Sequence, residues 1–320
     1  MIKWGKFKGK QRWHCPKCVH TFIWKCKGNS LLKKKSWFLK WILKKRTLED
    51  ISEESGYSIS TLQRIFEKYL NNLPVHKITP NEDCILLLDG TYFEKVNCLI
   101  VYLDITKNTI LHWRYTTSEK ADEIEWDLRY LKSNGVNVTS TVSDGGKAIL
   151  KALNAVYPDI RKQRCLVHIQ RMAFAWLTKK PKTVAGKTLR ALCGCVNQIK
   201  TKKDAEIWKE TFLFWDNEYK EFLNEKSRSY YKKWRYTHKY LRKTRRMIAG
   251  ALPDMFHYLD VPGLPKDTNK IDGGIFSDLK NHYRTHRGIP KHKRSKFFHW
   301  YLYLKNLKKL SKSNPNTNIN

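Results

Sequence analysis

The sequence predicts an α/β protein with a mixed sheet and an all-helical insertion, preceded by a small helix-turn-helix and a partial zinc-ribbon segment. Three observations indicate this fold class. Short apolar runs alternate with amphipathic helical patterns between residues 82 and 177, as in a sheet covered by helices. Only helical patterns follow, as far as residue 265. A Cys-x-x-Cys pair and three short helical patterns precede the core.

The same patterns divide the chain into segments. The expected domains are a partial zinc ribbon with a basic arm (residues 1–28), a helix-turn-helix (29–76) and the first part of the core (82–177). A helical insertion (178–265) follows, and then the last core helices with a basic tail (266–310).

Charge limits the class of function before any motif is considered. The 320 residues include 63 Lys and Arg against 29 Asp and Glu, a formal charge of +34 at pH 7. Three basic runs, residues 1–46, 226–253 and 279–320, contain no acid. This excess of positive charge favours a polyanionic partner, and nucleic acid is the leading candidate.

No apolar run approaches the ~20 residues of a membrane span. Without an apolar leader, the eight cysteines are expected to be reduced thiols in the cytoplasm.

The first element is a possible Zn²⁺ knuckle. Cys15 and Cys18 have the Cys-x-x-Cys spacing of a zinc ribbon. A structural zinc takes four ligands, usually from two such pairs, and the chain has one. His14, His20 and Cys26 could complete the set, although their spacing is poor for a ribbon. The alternatives are a vestigial knuckle and a start that falls too late in the reading frame.

Three helical patterns follow at the spacing of a helix-turn-helix. Helices are expected from Ser36 to Lys44, from Leu48 to Glu54, and from a cap at Ser58 or Ser60 to Leu70. A bare trihelical linker is the alternative, and the neighbouring basic arm favours DNA binding. The start of the third helix would then meet base edges through four side chains, those of Ser58, Thr61, Gln63 and Arg64.

The core begins with strands. The expected strands are Cys84 to Gly90, Val96 to Leu103, Thr109 to Tyr115, Val136 to Val142, and Gln163 to Val167. A short connection joins the second and third strands as a hairpin, so the sheet should open antiparallel. Helices are expected after a Ser118 cap and over residues 147–156. A last helix should run from a cap at Thr268 or Asn269 to Tyr283.

Two carboxylates stand at the ends of two of these strands. Asp89 ends the first apolar run, and Asp144 follows the fourth strand. If the strands are neighbours, both acids lie at one edge of the sheet, where paired like charges need a cation. Mg²⁺ prefers such oxygens, and two ions can assist phosphodiester chemistry. Asp is also common in turns before Gly. On a basic chain, the pair favours a metal site.

Four motifs occur in an order shared with a known family. They are Leu87–Thr91, Val142–Gly145, Cys165–His168, and Thr268–Gly274 continuing through residues 283–288. In this order they resemble the bacterial insertion-sequence transposases of the Mutator-like group, which have a ribonuclease-H-like core with a DDE acid triad. The resemblance covers residues 84–300, and residues 5–18 resemble the lead-in to the family's zinc ribbon.

The resemblance implies a metal-dependent DNA transposase. Asp89, Asp144 and Asp272 would be the catalytic acids that hold Mg²⁺ or Mn²⁺, and Cys165 and His168 would support them or contact the DNA end. The third acid is Asp where the family usually has Glu, and one Cys-x-x-Cys pair is missing. Both departures are also what a decaying copy would show.

The implied partners are the terminal inverted repeats and target DNA, bound by at least a dimer at the bacterial nucleoid. In the basic insertion, Lys233, Trp234 and Arg235 are expected to bind DNA, because aromatic rings stack on bases and cations pair with phosphates.

The alternative function is a DNA-binding protein without catalysis, either a decayed copy or a repressor. A structure-selective nuclease is a further alternative. His168 and Arg171 also match a fragment of the tyrosine-recombinase signature, but acid-tipped strands do not fit that class.

Overall fold

The computed structural model describes residues 1–23, 27–94, 96–228, 230, 233–286 and 288–313, and the side chains of residues 27–31 and 309–313 lie outside the description. The chain divides into two units, residues 1–74 with 281–301, and residues 75–280 with 302 onward.

The first unit begins with a small antiparallel sheet followed by three helices. Its strands are β1 (Ile2–Phe7), β2 (Lys10–His14) and β3 (Thr21–Ile23), and its helices are α1 (Lys27–Leu43), α2 (Leu48–Ser55) and α3 (Ile59–Asn71). Helix α1 starts earlier than the expected Ser36. Three helices are present where three were expected, and their assignment as a helix-turn-helix stays a prediction.

Local hydrogen bonds explain where α2 and α3 begin and end. Thr47 and Asp50 form a capping box, in which each side chain accepts the other residue's backbone N–H. Gly56, with φ +71°, closes α2 in the left-handed region. Ser58, one of the two expected caps, accepts the N–H of Thr61 at 3.3 Å. The core of this unit is aromatic and aliphatic: Phe38, Trp41, Ile42, Ile51, Leu62, Phe66, Leu70, Phe297 and Phe298 are buried.

The second unit is built on a five-stranded mixed sheet within the described chain. Its strands are β4 (Asn81–Phe93), β5 (Asn97–Asp104), β6 (Thr109–Thr116), β7 (Val136–Ser143) and β8 (Arg161–Arg164), in the order β6-β5-β4-β7-β8. The β4–β5 and β5–β6 pairs are antiparallel, and the β4–β7 and β7–β8 pairs are parallel. The expected α/β class with an antiparallel opening is confirmed.

Helices α4 (Ala121–Ser133) and α5 (Lys147–Val156) pack on this sheet, and α6 (Leu166–Leu177) follows β8. Two expectations for this region were wrong. Ser118 does not cap α4, which begins after Lys120 with no side-chain cap. The last strand ends at Arg164 rather than Val167, because the backbone turns into α6 at Cys165 and the Leu166 N–H donates to the Lys266 carbonyl at 3.0 Å.

The insertion contains α7 (Val184–Cys195), α8 (Lys202–Glu218), α9 (Lys220–Asn224) and α10 (Lys239–Ala251), packed on a core that they share with α6 and that includes Trp208, Phe212 and Ile248. The expectation of helices alone was wrong, because β9 (Lys226–Ser227) and β10 (Arg235–Tyr236) form a short antiparallel pair.

The last segment is α11 (Asn269–Ile271), a π-helical turn (Asp272–Phe276), α12 (Ser277–Thr285) and α13 (Lys291–Ser313). The single helix expected up to Tyr283 is therefore interrupted by a π-helical turn that starts at Asp272. Among the helices in the described ranges, none is long and apolar enough to cross a membrane.

Candidate active site

The parallel pairing of β4 with β7 brings the two strand-end acids together. The register pairs Leu87 with Val142, and Asp89 and Asp144 each lie two residues farther along. Neighbouring strands are about 4.8 Å apart, so the two acids lie side by side. Asp89 is buried, with 3% of its surface exposed, and Asp144 is half-buried. The two strands are neighbours, as expected, although β4 continues past Asp89 to Phe93.

A chain of hydrogen bonds connects Asp89 to Thr268, Cys165 and His168. The hydroxyl of Thr268 donates to Asp89 Oδ2 at 2.8 Å, and the Thr268 N–H donates to Cys165 Sγ at 3.4 Å. Nδ1 of His168 lies 3.3 Å from the same sulfur. Thr268 and Cys165 are each 1% exposed. Cys165 therefore reaches Asp89 through Thr268, which agrees with the supporting role that the family resemblance implies.

The charges at this edge act on one another. Burial raises the pKa of Asp89 to about 6, and the Asp144 carboxylate adds to the rise while His168 and the Thr268 hydroxyl oppose it. The hydrogen bond to Cys165 raises the pKa of His168 to about 9, and both carboxylates contribute. The edge combines two acids with a histidine whose pKa lies above its ordinary value.

Glu119 is a third carboxylate at this edge, and the sequence analysis missed it. A Cβ on Gly90 would lie 2.3 Å from Glu119 Oε1, and a Cβ on Gly146 would lie 3.4 Å from Glu119 Oε2 and from Asp144 Oδ1. Burial raises the pKa of Glu119, and the charges of Asp144 and Asp89 raise it further. Its carboxylate thus lies between the ends of β4 and β7. The one sequence signal was the position of Glu119 shortly after the predicted strand Thr109 to Tyr115.

Arg164 contributes a buried cation beside Asp144. Its Nη2 donates to the Asp144 carbonyl at 3.2 Å, and the residue is 9% exposed. Burial lowers the pKa of Arg164, and the Asp144 charge counteracts this. Gly145 has φ +77°, and a Cβ there would lie 1.8 Å from Arg164 Nε. Only glycine fits between the second acid and this guanidinium.

Asp272 lies one helical turn beyond Thr268, whose carbonyl accepts the Asp272 N–H at 3.1 Å. Its carboxylate is held in an ion pair, with Arg171 Nη1 at 2.6 Å from Asp272 Oδ2. The described residues contain no group of three or more His, Cys, Asp or Glu side chains that could hold a metal ion. The site of three acids stays a prediction.

Asp89 and Asp144 nevertheless fit a divalent cation. Mg²⁺ is commonly bound by one or two carboxylates, with water and substrate phosphates as the other ligands. Asp89 and Asp144 supply the two carboxylates. Asp89 is buried and its pKa is raised, which means that neighbouring protein groups do not fully stabilise its negative charge.

The N-terminal knuckle supplies two thiols for zinc. Backbone N–H groups of Cys18 and Lys17, together with the Cys18 side chain, form hydrogen bonds with the Cys15 sulfur and lower the pKa of Cys15. No third ligand joins Cys15 and Cys18 among the residues described, and Cys26 lies outside them. A structural zinc takes four ligands, so a zinc site at this knuckle stays a prediction.

The residues expected to bind DNA occupy two surfaces. Gln63 and Arg64 are exposed at the start of α3, where the Arg64 guanidinium donates to Thr61 Oγ1 at 3.3 Å and the Ser58 hydroxyl forms the cap. In the insertion, three exposed residues precede or begin β10: Lys233, Trp234 and Arg235. Their role in binding DNA stays a prediction.

Comparison with known proteins bears on the same segment of the chain. Residues 95–249 match the family model described as Transposase, Mutator family. The resemblance to this transposase family is confirmed. The segment contains Glu119, Asp144, Cys165 and His168, whereas Asp89 and Asp272 flank it.

A transposase for the insertion sequence element IS905 of Lactococcus lactis subsp. lactis (strain IL1403) is 28% identical over 141 residues. The match covers 39% of this chain and 36% of the length of that relative. A chain in the simian T-cell lymphotropic virus intasome, solved with PP2A regulatory subunit B56 gamma, is 12% identical with a TM-score of 0.21, over 49% of this chain and 66% of that one.

Proposed function

We propose that this protein is a DNA transposase that binds the terminal inverted repeats of its element and catalyses metal-dependent strand cleavage and transfer. The observation that carries the proposal is the parallel pairing of β4 with β7, whose register continues from Leu87 and Val142 to Asp89 and Asp144. The family match over residues 95–249 supports the reaction class. The strand order β6-β5-β4-β7-β8, with β5 antiparallel to its neighbours, supports a ribonuclease-H-like core.

In this mechanism, Asp89 and Asp144 would hold Mg²⁺ or Mn²⁺, with Asp272 as the third acid. The bound ions would supply positive charge that stabilises the attacking and leaving oxygens of a phosphodiester displacement. Thr268 fixes the orientation of Asp89 through its hydroxyl. Arg164 and His168 place positive charge at the same edge, where negative charge develops on the phosphate.

The reaction has two displacements. Water attacks the phosphodiester at the element end and frees a 3′-hydroxyl, and that hydroxyl then attacks target DNA. No covalent bond between protein and DNA is formed. The basic arm and the helix-turn-helix recognise the terminal repeats, with Gln63 and Arg64 facing the bases. Joining of two ends requires at least a dimer, working at the bacterial nucleoid.

Cleavage of the DNA that flanks the coding sequence tests the proposal. The full chain is incubated with labelled flanking DNA and Mg²⁺ or Mn²⁺, and nicks at the element ends are mapped. We expect Asp144→Asn to abolish cleavage, whereas Asp159→Asn, at an exposed aspartate before β8, leaves it unchanged. Full cleavage by the Asp144 variant would refute the assignment. Cleavage without preference for the element ends would favour the structure-selective nuclease.

A catalytically inactive DNA-binding protein is the second candidate. The ion pair between Arg171 and Asp272 favours it, because the third acid is then neutralised within the protein. Activity of the unsubstituted chain would exclude this candidate. If the chain is inactive and Asp272→Glu restores cleavage, the protein is a decayed copy.

A further inference from the structure

The helical insertion contains a large cavity that the proposed chemistry does not use. Its volume is about 1090 Å³, slightly above the roughly 300–1,000 Å³ that ligand pockets span. It lies between the end of α6, the start of α7 and the segment that runs through β10 into α10. The lining residues that matter here are Trp176, Lys180, Lys182, Trp234, Tyr236 and Tyr240.

Aromatic rings form much of the cavity wall, and basic side chains lie over them. The Lys243 Nζ is 4.1 Å from the ring centroid of Trp176, and the Lys226 Nζ is 4.4 Å from that of Trp234. Even so, Trp234 remains 45% exposed. Tyr240, on the same wall, is 56% exposed. Large flat rings left open to solvent inside a cavity are a surface on which another flat group can stack.

The lysine and arginine side chains that line the cavity give its wall a positive charge. The described residues that line the cavity include no acid, and they include five basic side chains: Lys180, Lys182, Lys233, Arg235 and Lys239. His238, at the rim, is 2.9 Å from Glu225. A ligand that suits this cavity therefore carries both flat rings and negative charge. Single-stranded nucleic acid has both, because its bases are free to stack while its phosphates meet cations.

We propose that this cavity binds unpaired nucleotides of a DNA strand, with bases stacked on Trp234 and Tyr240 and phosphates held by the lysines. A paired duplex offers only base edges in its grooves, so stacking on side-chain rings requires a base that has left the helix. The proposal rests on the proposed function in that DNA is the substrate. It does not depend on cleavage or on a metal ion.

Binding to matched overhangs tests it. Fluorescence anisotropy with the full chain in EDTA compares a labelled duplex bearing a short single-stranded overhang with the same duplex whose overhang is abasic. We expect Trp234→Ala to weaken binding to the base-bearing overhang roughly tenfold, the scale of one stacked base. Binding to the abasic overhang should not change. Phe214→Ala is the control, since Phe214 is a 71% exposed aromatic on α8 outside the cavity.

A second variant and a spectroscopic readout separate stacking from loss of structure. Tyr240→Ala should show the same selective loss, and 2-aminopurine in the overhang should be quenched by the unsubstituted protein and less by Trp234→Ala. Equal weakening for both overhangs, or no weakening for either, would overturn the proposal. If the unsubstituted chain binds none of these DNAs, the proposed function fails as well. Stacking without cleavage in Mg²⁺ would leave the cavity proposal standing alone.

Discussion

A single methyl group at Gly90 tests whether Glu119 belongs to the active site. In Gly90→Ala, the new Cβ would lie 2.3 Å from Glu119 Oε1, whereas ordinary contact begins at 3.4 Å. The Glu119 carboxylate must therefore withdraw by about 1.1 Å from its place between Asp89 and Asp144. The backbone of β4 need not move, because the clashing atom is the end of a rotatable side chain.

The expected effects on activity and stability differ in size. Misplacement of a group by 1 Å at a reaction centre lowers a rate by as much as 100-fold. We expect a loss of this order in cleavage of element-end DNA by Gly90→Ala. The free energy of unfolding, measured with urea, should change by less than about 1 kcal/mol, since alanine also restricts the unfolded chain. Gly250→Ala is the control, because nothing lies within 4 Å of its added Cβ.

A double-mutant cycle decides whether Glu119 is the cause. If displacement of Glu119 explains the loss, Gly90→Ala should have no further effect on cleavage in a Glu119→Ala background. Full activity of Gly90→Ala, or a loss that Glu119→Ala does not share, would refute the reasoning. Mn²⁺ affinity measured by electron paramagnetic resonance gives a second readout: both variants should weaken it, because Glu119→Ala removes a negative charge from the edge and Gly90→Ala displaces it.

Three further predictions concern buried contacts. Thr268→Val removes a buried hydrogen bond to the Asp89 carboxylate and should lower the free energy of unfolding by about 1.5–3 kcal/mol, measured with urea. Asp127→Asn should cost about 3–5 kcal/mol by the same measurement, because this fully buried carboxylate is paired with an arginine. Burial raises the pKa of Asp127, but hydrogen bonds from a histidine and an arginine lower it overall, so its contribution is present above about pH 4 and lost as pH falls further. Gly145→Ala should reduce the melting temperature sharply, since its Cβ would lie 1.8 Å from Arg164 Nε at φ +77°, and an unchanged melting temperature would contradict the packing.

The parts of the site that the sequence could predict are those carried by strand patterns. A continuous apolar run ending in Asp89, and another strand ending before Asp144, indicate two buried strands with acids at one edge. The starts of α2 and α3 could be predicted for a similar reason, since Thr47 and Ser58 are local caps. In both cases the signal lies within a few residues of the feature that it predicts.

The parts that could not be predicted depend on contacts between distant residues. Glu119 reaches the site because a loop after β6 folds over the end of β4, and no periodicity encodes that contact. The strand β8 ends early because the Leu166 N–H donates to the carbonyl of Lys266, which lies 100 residues farther along the chain. The strand pattern alone could not exclude three more residues of sheet.

The ion pair of Asp272 with Arg171 is compatible with a catalytic role for Asp272. The two side chains are 31% and 57% exposed, and exposed ion pairs contribute only about 0.2–1 kcal/mol. A phosphodiester offers arginine a bidentate partner of greater strength. Substrate can therefore draw Arg171 away from Asp272 at little energetic cost and release the third acid when it is needed. On this argument Arg171→Ala should weaken DNA binding without restoring cleavage. A gain in cleavage rate on removal of Arg171 would instead mark the ion pair as the inhibitory contact of a decayed copy.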